Sequence, residues 1–272
     1  MEELHDTAAL LSDTGTTMTH ERMQQLLEAA NLLINARRNH APIADLPAEL
    51  QPRSLEEAAI IHGMIATAFG PIGGWKIGAG SPDATPFFAP MPLAWMARSG
   101  ALLSGPRFRY RVLEAEIAFL LGKDLPPRVK PYSRDEVVAA IASCHPIIEE
   151  LESGLTDPKA AAHLSMLADL QMHGGFIQGP ACKDWKKIDF KTETVTLSID
   201  GKVQVERTGS NTSGDLMRLL PFLANEGATR TGGLKAGQWI TTGSWTGNTP
   251  ARPGSLVEVA FAHAGKVSLR FA

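Results

Sequence analysis

Apolar residues near the start of the chain recur at the spacing of an amphipathic helix. In residues 19–38 they return every three or four positions and form one stripe. The stripe consists of Met23, Leu26, Leu27, Ala30, Leu33 and Ile34. Thr19 is a suitable N-cap for this helix. A connector with three prolines covers residues 41–52, and Ser54 followed by acidic residues predicts a second helix that ends near Ala68.

After Gly70 the pattern changes to short β-type runs that are separated by turn residues. The predicted strands cover residues 74–78, 112–121, 147–151, 176–178, 194–199, 237–242, 256–261 and 266–271. The dipeptide Asp200-Gly201 joins two of these runs and is typical of a tight hairpin. Two further helices are predicted at residues 133–143 and 214–226.

The order of these elements predicts an α+β fold. We expect a helical N-terminal part over residues 1–70 and a β-rich catalytic body over residues 71–272, which together form one structural domain. A chain of 272 residues with 44% hydrophobic content can bury a core of that size. The 26 basic residues are scattered and the net charge is −3, which does not favour nucleic-acid binding. The one dense basic stretch, at residues 183–187, is expected to be a solvated turn.

Cysteine usage and hydropathy predict a cytoplasmic protein. Cys144 and Cys182 have no metal-ligand spacing and do not indicate a disulfide framework. No apolar run approaches the ~20 residues that a membrane span needs. Residues 1–17 are acidic and polar and lack the basic start and apolar stretch of a secretion signal.

The candidate chemistry begins with two glutamates on the predicted strand at residues 112–121. Because side chains alternate between the faces of a strand, Glu114 and Glu116 point the same way, about 7 Å apart along the strand. Two adjacent carboxylates repel unless one is protonated or a cation lies between them. Oxygen ligands at this spacing suit Mg²⁺ or Mn²⁺. The alternative is a half-exposed strand whose polar face happens to be acidic.

A second acidic cluster follows an apolar run and supports the metal interpretation. The sequence Ile147-Ile148-Glu149-Glu150-Leu151-Glu152 lacks the polar alternation of a solvated face. One glutamate near position 149 would add a third carboxylate from a separate strand and leave coordination positions open for substrate.

Two further segments are candidates for contacts with a substrate. Lys76 lies among glycines and apolar residues, so it either extends to solvent or is partly desolvated with a lowered pKa. Neither phosphate-binding glycine motif is present around it. The sequence Thr242-Gly243-Ser244 ends a predicted strand and offers hydroxyls and N–H groups to a carboxylate. His173 is either a structural histidine or part of the site.

In their order and spacing, these segments resemble the fumarylacetoacetate hydrolase superfamily, specifically its branch of 2-keto-4-pentenoate hydratases and 4-oxalocrotonate decarboxylases. The matching segments are residues 41–43, 74–78, 113–119, Ile148-Glu149 with Glu152, Ala168-Asp169, and residues 234–237, 242–244 and 267–271. The resemblance implies a rolled-sheet body with a helical N-terminal part, assembled as a homo-oligomer.

The resemblance also implies roles for individual residues. Glu114, Glu116 and Glu149 would ligate Mg²⁺ or Mn²⁺, with Glu150 as a competing choice for the third ligand. Lys76 matches the active-site lysine. Thr242, Gly243 and Ser244 match the loop that binds the substrate carboxylate, and His173 is assigned to substrate binding.

The sequence departs from the family pattern in two places. After Lys76 the family usually has a longer loop that carries a catalytic aspartate, whereas this chain has a short loop in which only Asp83 could substitute. After Ala168-Asp169 the hydratases usually have asparagine and small residues, whereas this chain has Leu170-Gln171-Met172-His173. The expected catalytic residues are therefore Lys76, Asp83 and Glu152.

The function implied is that of a metal-dependent lyase in the catabolism of aromatic compounds, acting on a small 2-oxo acid. The first choice is a 2-hydroxypentadienoate hydratase. The alternatives are a 4-oxalocrotonate-type decarboxylase, an acylpyruvate-type C–C hydrolase, or a catalytically silent subunit in a complex with a related decarboxylase or hydratase. A decarboxylase would be favoured by a second cation in the pocket, but Arg107, Arg109 and Arg111 are expected to be too exposed for that role.

Overall fold

The N-terminal helices begin at the residues that their caps predict. The fold is that of a computed structural model, which describes residues 18–272, so the expectation for residues 1–17 lies outside the described part. Thr19 Oγ1 accepts a hydrogen bond from the first turn of the first helix, and Ser54 Oγ does the same for the second. The described helices are α1 (His20–Arg38), α2 (Leu55–Ala68), α3 (Arg134–Ala140), α4 (His163–Ala168), α5 (Leu219–Asn225) and α6 (Ala228–Thr231). The stripes of α1 and α2 pack on each other and on α4 around one apolar cluster.

Two sheets form the body of the protein. The strands are β1 (Ile72–Gly78), β2 (Phe87–Pro92), β3 (Met96–Arg98), β4 (Ala101–Leu103), β5 (Val112–Leu121), β6 (Ile141–Leu151), β7 (His173–Gln178), β8 (Thr194–Ile199), β9 (Lys202–Thr208), β10 (Trp239–Thr241), β11 (Thr249–Pro250), β12 (Leu256–Phe261) and β13 (Gly265–Phe271). The larger sheet has the order β2-β1-β10-β5-β6-β7-β3, with β11 paired to β5. The smaller sheet has the order β4-β13-β12-β8-β9.

The main apolar core lies where the two sheets pack. On β5, Leu113, Ala115 and Ile117 are fully buried and point toward it. On the smaller sheet, Val257 and Leu269 belong to the same cluster. This arrangement assigns one face of β5 to the core and leaves the other face, with the glutamates, for the site. The predicted α+β class with a helical N-terminal part is confirmed, while the division at residue 70 stays a prediction.

Two predicted helix boundaries were wrong, the first of them because strand pairing overrides local helix propensity. The helix predicted at residues 133–143 ends at Ala140, and the chain enters β6 at Ile141. Residues of β6 pair with β5 along its whole length, and Pro146 could not have supplied a helical N–H. A 3₁₀ turn over Leu216–Arg218 precedes α5 within the predicted helix at residues 214–226. The Asp200-Gly201 hairpin between β8 and β9 is confirmed.

Three smaller expectations can be compared with the structure. The basic stretch at residues 183–187 contains a 3₁₀ turn with exposed lysines, but its Trp185 is buried. Cys144 and Cys182 are free thiols, and their backbones pair in an isolated antiparallel β-bridge. Within residues 18–272, no helix has both the length and the apolar character that a membrane crossing requires.

Candidate metal centre and active site

Three carboxylates converge on one face of the larger sheet. Glu114 on β5 is the direct cross-strand partner of Glu149 on β6, and Glu116 lies two residues further along β5. Because register and strand alternation place them on the same face, one oxygen from each carboxylate lies within 4.8 Å of the others. Glu149 is fully buried and Glu116 is 2% exposed, whereas Glu114 is half-buried.

The electrostatics of this cluster call for a cation. Burial raises the pKa of Glu116 well above its usual range, and the charges of Glu149 and Glu114 act in the same direction. Burial and Glu149 likewise raise the pKa of Glu114. Glu149 Oε2 is buried without a hydrogen-bond partner. A divalent cation bound by hard oxygen ligands would satisfy this oxygen and offset the repulsion, so the donor set fits the predicted metal.

Lys76 lies on the same face and pairs with Glu149. Its Nζ donates to Glu149 Oε1 at 2.7 Å and to the Gln171 carbonyl oxygen at 3.1 Å. Burial alone would lower the pKa of Lys76, but Glu149, Glu114 and Glu116 together raise it. Of the two alternatives for Lys76, the one with a lowered pKa was therefore wrong, because three carboxylates on neighbouring strands stabilise the ammonium. Burial also opposes ionisation of Glu149, but Lys76 and His173 hold the pKa of Glu149 below its usual range.

The strand β10 and the loop after it support Glu116. Thr241 Oγ1 and the Gly243 N–H both donate to Glu116 Oε2, the latter at 2.9 Å. Thr242 turns away from the site, because its hydroxyl donates to the Ile117 carbonyl oxygen at 2.7 Å. Gly243 and Ser244 line the cavity, while Thr242 is buried behind them.

His173 lies behind Glu149 and not on the cavity surface. Its ring is fully buried, and Nδ1 shares a 2.7 Å hydrogen bond with Glu149 Oε1. Since the partner is a carboxylate, we assign the proton to Nδ1. Burial lowers the pKa of His173 although Glu149 opposes this effect, so the ring is neutral. Trp95 stacks on the other side of the ring at 6.0 Å between centroids. This geometry is that of a residue that orients a metal ligand.

Glu114 and Glu116 line a cavity of about 240 Å³, and Glu149 is buried beside them. Its polar lining consists of Lys76, Glu114, Glu116, Gln171, Ser244 and Asn248. Apolar side chains complete the wall, namely Ile77, Leu151, Met166, Leu167 and Met172, with backbone from Gly78 and Gly243. The cavity therefore combines one anionic, cation-binding region with a largely apolar remainder, which suits a small organic acid.

The segment after Asp169 enters this cavity through an unusual backbone turn. Leu170, Gln171 and Met172 have φ values of 56°, 50° and 63°, and none of them is glycine. Such left-handed residues cost roughly 1–3 kcal/mol each and persist only where the surroundings enforce them. Arg37 fixes the start of the turn, because its guanidinium donates to the buried Asp169 carboxylate at 2.6 Å and to the Asp169 carbonyl oxygen at 3.0 Å.

Three acidic residues considered from the sequence lie outside the cavity. Asp83 is exposed in the short turn after β1. Glu150 points to the opposite face of β6, where both of its oxygens are buried without hydrogen bonds. Glu152 accepts hydrogen bonds from the backbone N–H groups of Arg109 and Tyr110 at 2.6 and 2.8 Å, so it anchors that loop. The structure thus brings Glu149 to the other two ligand candidates and leaves these three acids elsewhere.

The expected exposure of the three arginines was wrong. Arg107, Arg109 and Arg111 are each half-buried, and their guanidinium groups donate to the backbone carbonyl oxygens of Gly174, Leu155 and Arg109, respectively. Arg107 and Arg109 line a second cavity of about 270 Å³, together with Trp95, and they do not line the carboxylate cavity.

Sequence reasoning missed several residues of the site. Thr241 could have been inferred from alternation, since it lies one residue before the predicted loop and faces the same side as Glu116. Gln171 fell within the segment that departs from the family pattern, but its position depends on the left-handed turn. Met166 and Leu167 come from α4 and carry no local signal of a site.

Comparisons with known proteins support this interpretation. No family model matches the chain. A 4-oxalocrotonate decarboxylase from Pseudomonas sp is 29% identical over 176 residues, which cover 64% of this chain and 65% of that protein. A 2-hydroxyhexa-2,4-dienoate hydratase from Comamonas testosteroni is 30% identical over 159 residues, which cover 58% of this chain and 59% of that protein. The match thus spans less than two thirds of each of these relatives.

Solved structures match over a larger part of the chain. The 4-oxalocrotonate decarboxylase from Pseudomonas putida G7, complexed with magnesium and adipate, has a TM-score of 0.80 and 25% identity, covering 92% of this chain and 98% of that one. A putative fumarylacetoacetate hydrolase family protein from Yersinia pestis CO92 has a TM-score of 0.55 and 17% identity over 74% of this chain and 93% of that one, and so shares the fold.

Proposed function

We propose that this chain is a metal-dependent hydro-lyase for a small 2-oxo acid. The chain belongs to the fumarylacetoacetate hydrolase superfamily and its branch of 4-oxalocrotonate decarboxylases and dienoate hydratases. The preferred reaction is hydration of 2-hydroxypenta-2,4-dienoate to 4-hydroxy-2-oxopentanoate. The observation that carries the proposal is the convergence of Glu114, Glu116 and the buried Glu149 beside Lys76, at the wall that Glu114, Glu116 and Lys76 form in a small cavity.

Glu114, Glu116 and Glu149 would hold Mg²⁺ or Mn²⁺. The unpartnered Glu149 Oε2 and the mutual repulsion of the carboxylates support this assignment. The solved decarboxylase complexes contain magnesium in one case and calcium in another, both of which prefer oxygen ligands. When bound, the cation supplies Lewis-acid stabilisation of the negative charge that develops on the 2-oxo oxygen.

Residues of the chain would hold the substrate and control its protons. Lys76 retains its proton, so we assign it to holding an anionic oxygen or donating a proton, and not to acting as a base. Ser244 lines the cavity, where its Oγ accepts from the Gly247 N–H and its hydroxyl hydrogen-bonds to Glu114, so we assign it to positioning that ligand candidate. The dienol gains a proton at C5 and loses the proton of its 2-hydroxyl to become the 2-oxo-3-enoate, after which water adds its hydroxyl to C4 and its other proton to C3.

A decarboxylase is the second candidate. The decarboxylase relatives and the adipate complex favour a substrate with two carboxylates. Against this, Lys76 is the sole basic side chain among the described residues that line the cavity. The apolar wall formed by Met166, Leu167 and Met172 offers no partner to a distal charge, and burying an unpaired carboxylate is costly. This difference supports our ranking of the hydratase before the decarboxylase.

The ultraviolet absorbance of 2-hydroxypenta-2,4-dienoate tests the proposal. With Mg²⁺ or Mn²⁺, the purified protein should remove the dienol signal and form 4-hydroxy-2-oxopentanoate, and chelation should stop the reaction. Glu114→Ala should abolish turnover, whereas the matched control Glu206→Ala, on the exposed strand β9, should retain it. Release of CO₂ from 2-oxohex-3-enedioate without consumption of the dienol would replace the hydratase by the decarboxylase. No turnover of either compound despite metal binding would reject both reactions.

A further inference from the structure

The second cavity, of about 270 Å³, is lined by guanidinium groups and apolar side chains. Its four arginines are Arg37 and Arg38 at the end of α1, and Arg107 and Arg109 in the loop before β5. Within residues 18–272, Glu152 is the one acidic side chain in the lining. The cavity therefore carries an excess of positive charge, although the net charge of the whole chain is −3. Such a local excess attracts small anions.

Three of these arginines already have partners in the protein or in solvent. Arg37 forms an ion pair with the buried Asp169 at 2.6 Å, and Arg109 pairs with Glu152 at 3.3 Å. Arg38 is exposed, so water can satisfy its charge. The fourth arginine is partly buried and forms no ion pair within the described residues.

That fourth arginine, Arg107, keeps hydrogen-bond donors free. Within residues 18–272 its guanidinium makes one hydrogen bond, from Nη2 to the Gly174 carbonyl oxygen. The unbonded Nε and Nη1 are not buried, so a ligand can reach them. The rings of Trp95 and Phe108 lie with their centroids 5.3 and 4.6 Å from Cζ and hold the guanidinium in place. The carboxyl oxygens of Glu150 are buried and accept no hydrogen bond from any described residue.

The protein compensates the charge of Arg107 only in part. Burial lowers the pKa of Arg107 and Arg37 acts in the same direction, whereas Glu150 and Glu152 oppose them. A charged group that loses solvent without gaining an ion partner is destabilised. An anion bound at Nε and Nη1 would supply the missing partner through charge-assisted hydrogen bonds.

We infer that the second cavity binds a small organic carboxylate, whose charged group is held by Arg107 and whose apolar body contacts Trp95. A planar guanidinium suits the geometry of a carboxylate. Much of the remaining wall is apolar, namely Ala36, Pro42, Phe69, Trp95 and Pro106. This surface favours a ligand with an apolar body over inorganic phosphate, because it offers no donors to further anionic oxygens. The inference is independent of the proposed function, because the two cavities share no lining residue within the described part of the chain.

Calorimetric titration of the Mg²⁺-loaded protein with benzoate, benzamide and inorganic phosphate tests the inference. Benzamide keeps the ring without the charge, and phosphate keeps a charge without an apolar body. The wild-type protein should bind benzoate about tenfold more tightly than benzamide, the value of a hydrogen bond to a charged group, and more tightly than phosphate. Arg107→Gln should lower benzoate affinity by about the same factor. The matched control Arg207→Gln, on the exposed strand β9, should leave benzoate affinity unchanged.

Two further variants separate recognition from folding and from the metal centre. Pro106 lines the cavity and is exposed, so Pro106→Glu should keep the melting temperature. Its like charge beside the bound carboxylate should weaken benzoate binding by roughly twofold to fivefold and leave benzamide binding unchanged. Glu114→Ala removes a ligand candidate from the carboxylate cavity and should also leave benzoate binding unchanged.

The opposite results would overturn the inference. Equal affinity for benzoate and benzamide, or no binding of benzoate, would show that the cavity does not recognise a carboxylate. Unchanged benzoate affinity in both Arg107→Gln and Pro106→Glu would place the ligand elsewhere. Loss of benzoate binding in Glu114→Ala would place it at the metal centre. Tighter binding of phosphate than of benzoate would replace the organic acid by an inorganic anion.

Discussion

Replacing Glu116 with glutamine should raise the stability of the metal-free protein and reduce the additional stability that metal binding provides. Burial first, and then Glu149 and Glu114, raise the pKa of Glu116 well above its usual range. An acid whose pKa is higher in the folded than in the unfolded state contributes full stability below its unfolded pKa and loses it as pH rises toward the folded pKa. At neutral pH without metal, Glu116 therefore destabilises the fold. Glu116→Gln removes this cost and keeps an acceptor for Thr241 and Gly243, so it should melt above the wild type in EDTA.

The effect of metal can be estimated from binding linkage and chain length. At a Mg²⁺ concentration about 100 times the dissociation constant, binding stabilises the wild type by about 2.7 kcal/mol. With an unfolding entropy of about 0.6 kcal/mol/K for 272 residues, this raises the melting temperature by about 5 °C. Loss of a residue that only hydrogen-bonds to a metal ligand weakens metal binding by roughly 10–100-fold. Loss of a carboxylate ligand itself should weaken Mg²⁺ binding by at least as much. At a 100-fold loss, the variant would gain about 1 °C or less.

Differential scanning calorimetry with EDTA and with Mg²⁺ measures both effects. Glu150→Gln is the matched control, because Glu150 is a buried carboxyl on the opposite face of β6 whose pKa burial and then Glu152 raise. This control should also melt higher in EDTA but keep the full shift of about 5 °C with Mg²⁺. The reasoning is refuted if Glu116→Gln melts below the wild type in EDTA or retains the wild-type shift with Mg²⁺.

Three further predictions follow from individual contacts. His173→Ala should lower Mg²⁺ affinity about 10–100-fold in calorimetric titration, because Glu149 loses the group that orients it; unchanged affinity would exclude that role. Arg37→Ala should cost about 3–5 kcal/mol and lower the melting temperature by roughly 5–10 °C, because Asp169 would remain buried without its ion partner; a drop below about 1 °C in calorimetry would contradict this. Burial lowers the pKa of His62 to about 3, so protons bind the unfolded state preferentially and stability falls by about 1.4 kcal/mol per unit as pH decreases from 6.5 toward 3. In urea unfolding between pH 6.5 and 5, His62→Leu should lose this contribution, so that its free energy of unfolding falls less steeply with decreasing pH than that of the wild type. Equal slopes for the variant and the wild type would reject the assignment.

The alternation of side chains along strands and the capping residues at helix starts were sufficient to predict much of the fold and of the acidic cluster. Glu114 and Glu116 share a face because the strand period is two, whichever sheet contains them. The starts of α1 and α2 follow from Thr19 and Ser54, whose side chains cap them as expected. These features depend on local sequence alone, so no tertiary information was needed to find them.

The rest of the site depends on contacts between distant segments. The raised pKa of Lys76 was not among the alternatives that the sequence offered, because its ion partner comes from β6, 73 residues further along the chain. The left-handed turn around Gln171 has no local signal, since residues other than glycine normally avoid positive φ. The extension of β6 back to Ile141 depends on pairing with β5. The predicted homo-oligomer stays a prediction.

The register between β5 and β6 also restricts how this protein can evolve. Glu114 faces Glu149, while its neighbour Ala115 faces Ile148 and points into the core. Deleting one residue ahead of Glu114 would exchange the two faces, so that carboxylates enter the core and apolar groups enter the cavity. Folding and chemistry would fail together. A substitution on the cavity face therefore leaves the register of this strand pair intact, whereas insertions and deletions are tolerated only in the turns at its ends.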